Sequence, residues 1–194
     1  ALYAQTERAM SFTFFLQNII NALQWGSFYA LIALGYSMVY SILMLFNFAH
    51  GDIFMVGAYI GLGVSTLVLA LVASAQLALP GWMLLVLIIL ISMFLTSILG
   101  VMVERIGYRP LRGAPRASAA ITGLMIGIIL ETTVLSIMGA QRVLFPSFLP
   151  AVTYDVAGIF ITAKKIIIVI VSIALMLILH QFVKRTKYGM AMRA

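Results

Sequence analysis

The sequence has no cysteine and little charge: Asp, Glu, Lys and Arg together make up 9% of its 194 residues. Without cysteine there is no disulfide, no thiolate metal site and no cysteine nucleophile. With 64% hydrophobic residues and a mean hydropathy of +1.16, the low charge excludes an ordinary soluble globule, a disordered chain and a nucleic-acid-binding module. The net charge of +7 does not revive the last of these, because the twelve Lys and Arg sit in short clusters between apolar runs and form no basic face. No nucleic-acid partner is expected. His50 and His180 are the only histidines, and neither a GxxxxGK[ST] phosphate loop nor an HExxH pair occurs. No metal and no cofactor is therefore expected. An enzyme would have almost no reactive groups to work with, whereas a shaped path for a solute needs few.

What is present is a series of apolar runs. A helical span takes about 20 apolar residues, so five fill the chain and leave only short loops. Residues 1–10 are polar, lack the basic stretch and apolar run of a signal peptide, and read as an N-terminal extension. Gln17, Asn18, Asn21 and Gln24 recur on one helical face, so Phe12–Gln24 reads as an interfacial or partly buried segment. The first span then starts near Ile19 or Trp25 and reaches Leu45. Later spans are expected at Ile53–Leu71, Trp82–Val103, Ala119–Met138 and Ile166–Val183. Pro80-Gly81 closes one turn. Pro146 and Pro150 break the longest loop, Gly139–Lys165, whose alternation near Val152–Ile161 suggests a short hairpin. The fold class expected is all-α, a polytopic transmembrane helical bundle.

Basic residues in short loops set orientation. Arg105, Arg109, Arg112 and Arg116 form one cluster, and Lys184, Arg185, Lys187 and Arg193 another, two spans later. Both are expected on the cytoplasmic side, which places the Gly139–Lys165 loop outside despite its Arg142, Lys164 and Lys165. The four-arginine loop also suits anionic headgroups. Its two prolines and two glycines exceed what orientation requires, so it is a candidate contact for a soluble partner.

Two places carry polar groups where apolar ones are expected. Asn47-Phe48-Ala49-His50-Gly51-Asp52 breaks the apolar pattern near membrane depth. It reads either as a broken-helix lining of a solute path, or as a turn in which Asn47 or Asp52 caps the next helix and Gly51 takes an unusual dihedral. Glu131 lies mid-span, where a carboxyl normally faces a cavity or a partner helix. It reads as a path-lining group or as a protonated carboxyl bonded to a neighbour. Small residues four apart, Gly57/Gly61, Gly61/Ser65 and Gly123/Gly127, allow close helix approach.

The block Asn47–Asp52, followed by Gly57-Ala58-Tyr59, resembles the signature of branched-chain amino acid permeases of ATP-driven (ABC) importers. Glu104-Arg105 with Tyr108-Arg109-Pro110-Leu111-Arg112-Gly113-Ala114-Pro115 matches a second block, and Thr186 with Gly189–Ala194 a third. The early stretch Gly26–Gly35 also fits, so the likeness runs from about Met10 to Ala194. Glu131 departs from the pattern, which carries a neutral amide in many relatives. The resemblance implies a permease subunit in the inner membrane working by alternating access. Its implied partners are a second homologous permease subunit, two cytoplasmic ATPase subunits that hydrolyse the ATP, a periplasmic substrate-binding protein and membrane lipid. It further implies that residues 11–194 are a permease domain incomplete at its C-terminus, with Thr186, Gly189 and Arg193 opening a segment that couples to the ATPase.

The expected function is translocation of leucine, isoleucine and valine, with Asn47, His50, Asp52 and Glu131 on the path. The alternatives are a urea or short-amide permease and a membrane subunit that only anchors other components.

Overall fold

The computed structural model describes residues 2–43, 47–111, 113–148, 152–156 and 158–185. Among the described residues its long helices are α1 Leu2–Leu43, α2 His50–Ser74, α3 Gly81–Val103, α4 Arg116–Met138 and α5 Ala163–Arg185, with the hairpin β1 Thr153–Val156 and β2 Ile159–Thr162 before α5. The chain divides into two compact units, residues 43–149 and residues 1–42 with 150–194.

The first unit holds α2, α3 and α4. Pro80 and Pro115 stand at the N-caps of α3 and α4 in extended backbone. There the fixed φ and missing N–H of proline start a helix without loss. Gly139 ends α4 at φ 74°, a left-handed value that glycine takes at no steric cost. Antiparallel α2 and α3 pack through Val64, Val68, Leu84 and Ile88, with Ile60, Val72 and Ile91 around them. Nearer the start of α2 the contact is made by small groups: a Cβ on Gly57 would meet Thr96 at 3.2 Å, and one on Gly61 would meet Ser92 at 3.6 Å. The four-residue spacing thus brings the two backbones together, as expected, and their hydroxyls turn back onto their own helices (Ser92 onto Ile88 O, 2.6 Å; Thr96 onto Ser92 O, 2.7 Å). α3 then continues through a π-helical turn, Glu104–Tyr108, and a 3-10 turn, Arg109–Leu111.

The second unit holds α1, the hairpin and α5. β1 and β2 pair antiparallel, with Thr153 opposite Thr162 and Val156 opposite Ile159. Gly158, at φ 80°, makes the turn and donates its N–H to the Asp155 carboxylate at 2.9 Å. The hairpin expected near Val152–Ile161 is therefore present. The segment Phe12–Gln24, expected to be interfacial or partly buried, is a partly buried stretch of α1, with Leu16, Gln17, Ile20, Asn21 and Gln24 half-buried. No proline interrupts residues 2–43, and the polar face of that stretch is satisfied from the side. The Gln17 amide donates to Phe160 O (3.1 Å) and accepts from Phe160 N–H (2.9 Å), while Lys165 donates to Asn21 Oδ1 at 2.6 Å. Asn18 is exposed and stands outside that set.

Among the described residues four helices are long and apolar enough to cross a membrane: α2, α3 with its continuation to Leu111, α4 and α5. The fifth expected span, from Ile19 or Trp25 to Leu45, falls on α1 and ends at residues 44–46, which lie outside the described residues. α1 itself, at 42 residues, extends about 63 Å, against the roughly 30 Å of a hydrocarbon core. Large apolar side chains cover the outer faces of all these helices, among them Phe94, Ile129 and Ile178. Water would not tolerate that surface and lipid does.

Candidate functional site

The polar break enters α2 from Asn47. Phe48 and Ala49 form a turn, and Ala49 takes the N-cap position, fully buried and with no side chain to cap the helix. The His50 N–H bonds to Asn47 O at 3.1 Å and the Ile53 N–H to Ala49 O at 2.9 Å. Gly51 is helical and is not among the positive-φ glycines. The turn reading thus needs correcting on Gly51, whose unusual dihedral is absent. Asp52 lies in the first turn of α2, where the helix dipole favours a carboxylate.

Asn47 Oδ1 accepts a hydrogen bond from the Tyr108 hydroxyl at 2.7 Å, across 61 residues of sequence. Tyr108 is 6% exposed. It closes the π-helical turn, whose extra residue re-aims the side chains that follow it. Gly107 beside it lies directly against Ile126 of α4.

The break rests on the small-residue ridge of α4. Ala119, Gly123 and Gly127 are buried and four residues apart. A Cβ on Gly123 would press on the Tyr108 hydroxyl and stand 3.2 Å from the Phe48 main-chain nitrogen. A Cβ on Gly127 would collide with the Asp52 carboxylate and approach Ala49 Cα at 3.8 Å. The expected glycine pair therefore serves close approach, and what approaches is the polar break itself.

Asn47, His50 and Asp52 are thus gathered, each half-buried, at one end of α2. Glu131 is not gathered with them in burial: it lies one turn beyond Gly127 and is exposed, beside Thr132 and Thr133, which are bonded back to Ile128 O and Ile129 O. An open groove of 560 Å³ starts at Phe54, two residues past Asp52. It runs along α2 and α3 past Gly57, Gly61, Ser92, Thr96 and Phe145. Its walls are apolar with a few hydroxyls, the lining that suits an apolar solute. Among the described residues no group of three or more His, Asp or Glu is placed to hold a metal ion.

Of the basic loop, Arg105 and Arg109 are exposed and Arg116 opens α4. Arg112 lies outside the described residues, as do Thr186, Gly189 and Arg193. Reading the sequence for charge singled out the arginines and passed over Tyr108 between them. The available signal was an aromatic with a polar end inside a loop block that otherwise needed only charge.

The family described as the permease component of branched-chain amino acid transport systems matches residues 18–194. The chain is 35% identical over 188 residues to the high-affinity branched-chain amino acid transport system permease protein BraD of Pseudomonas aeruginosa, covering 93% of this chain and 58% of that one. It is 34% identical over 187 residues to the corresponding protein LivH of Escherichia coli K12, covering 94% of this chain and 59% of that one, and 33% identical to LivH of Salmonella typhimurium. The chain thus spans less than two thirds of the length of these relatives. No solved structure matches it.

Proposed function

The chain belongs to the family of permease components of branched-chain amino acid transport systems, and from that premise we propose that it is a permease subunit of an ATP-driven importer that moves leucine, isoleucine and valine across the inner membrane. The observation that carries the reading is the likeness to permeases named for these substrates over more than nine tenths of the chain. The site supports it physically. Polar groups at the start of α2 suit the charged ends of an amino acid, and the groove beyond them suits a branched apolar side chain.

Transport requires partners. A second homologous permease subunit completes the path, two cytoplasmic ATPase subunits supply the energy, and a periplasmic binding protein delivers the substrate. The Arg105–Arg116 loop faces the cytoplasm, and the segment from Thr186 seats on the ATPase through Gly189 and Arg193. Residues 11–194 belong to the transmembrane domain.

The test is uptake by the assembled complex in lipid vesicles, with ATP inside or outside according to orientation. ATP-dependent accumulation of labelled leucine, competed by isoleucine and valine and not by urea or acetamide, is the expected result. Accumulation of urea or an amide instead would assign the rival substrate class. A complex that assembles and moves none of these would reduce the chain to an anchoring subunit.

A further inference from the structure

Tyr108 has so far entered only as a neighbour of the break. It is buried, although the arginines at 105 and 109 on the same helical turns are exposed. Its ring end reaches the α4 glycine ridge at Gly123, and its hydroxyl reaches Asn47. Gly107 holds the same turn against Ile126. The turn is π-helical, a rare geometry found frequently at functional sites.

The geometry points to Tyr108 as a positioning residue: its hydroxyl holds Asn47, and through Asn47 the polar break, on the glycine face of α4. The inference rests on the transport reading of the break. Its content is mechanical. The break sits on α4 through Gly123 and Gly127, contacts made by absence of side chains. Such contacts give a close steric fit built from individually small dispersion gains. The part-buried hydrogen bond from the Tyr108 hydroxyl to Asn47 adds direction, and partial shielding from water strengthens it. The same residue belongs to the helical turns that continue α3 and carry Arg105 and Arg109, so those turns and the break form one packed piece. A displacement imposed on these turns is handed to Asn47 instead of being lost in a slack joint. Tyr108 needs no contact with the solute for this.

The test uses Tyr108→Phe in the assembled complex, which keeps the ring and removes only the hydroxyl. Amide hydrogen exchange over residues 47–53 is expected to run about fivefold faster, the size of one lost hydrogen bond, while residues 84–94 of α3 exchange as before. Maximal uptake of leucine is expected to fall by a similar factor at normal membrane level. The double variant Asn47→Leu with Tyr108→Phe is expected to be no slower than Asn47→Leu alone, because the two changes remove one interaction. Unchanged exchange, or losses that multiply in the double variant, would overturn the inference. If Tyr108→Phe does not reach the membrane, Asn47→Leu read by the same exchange measurement carries the test, since it removes the acceptor and leaves the ring. A complex that takes up no branched-chain amino acid even without substitution defeats the transport reading. Normal uptake with faster exchange in Tyr108→Phe defeats the positioning role alone.

Discussion

The Asp52 carboxylate occupies the space that a side chain at Gly127 would need. The acidic residue of the polar break and a glycine in the middle of α4 are therefore a matched pair. Alanine at 127 gains up to about 1 kcal/mol of helix propensity but loses about 1–3 kcal/mol to overpacking. Gly127→Ala is expected to lower the membrane level or thermal stability of the complex. Adding Asp52→Ala should restore it by emptying the contested space. A double variant as unstable as the single one would show that the two residues do not share that space.

Asp52→Ala on its own separates the two readings of the break. If the carboxylate serves the path, leucine uptake falls tenfold or more, a loss of about 1.4 kcal/mol in the transport barrier, while the amount of assembled complex stays near normal. If it serves only the helix terminus, the cost is about 0.3–1 kcal/mol of stability and uptake per assembled complex is retained. Immunoblotting of membranes beside uptake distinguishes them.

Gln17 is expected to matter although it lies far from the break in sequence. Its amide pairs with both main-chain groups of Phe160, as a neighbouring strand would. Gln17→Leu leaves those groups without their partner at a cost of about 1–3 kcal/mol. Gln17→Glu keeps an acceptor for the Phe160 N–H and sets a carboxylate against the Phe160 carbonyl, so it is expected to be no better. Hydrogen exchange over residues 158–162 should rise in both variants. Unchanged protection would mean that the hairpin holds its edge without α1.

Orientation is checked with single cysteines, since the chain has none. A cysteine at exposed position 109 is expected to resist a membrane-impermeant maleimide in intact cells and to react in inverted vesicles. Labelling from outside would reverse the assignment made from basic residues.

Coupling is checked at Gly189. In the assembled complex Gly189→Leu keeps every positive charge, so an orientation signal tolerates it. A docking site does not, because a branched side chain blocks close backbone approach. Substrate-stimulated ATP hydrolysis is expected to lose its link to uptake. Normal stimulation would leave the tail as an orientation signal.

The sequence by itself determined the fold class, most helix positions, the hairpin and the family. These follow from local quantities: apolar run length against bilayer thickness, strand-like alternation ended by a glycine turn, and residue blocks at fixed spacing. It also marked Gly123 and Gly127 as points of close approach, because small residues four apart have few other uses in a buried helix. It did not say what would approach them. Only the tertiary structure decided that Asp52, Ala49 and Tyr108 fill that space, that Asn47 bonds to Tyr108 instead of capping α2, and that Glu131 stays exposed one turn further on. It also decided that the Gln17 amide of α1 meets Phe160 of the hairpin, 143 residues away. Each of these depends on which helix faces meet across long stretches of chain. That choice is settled by steric fit and hydrogen-bond satisfaction between elements, and periodicity within one element carries no record of it.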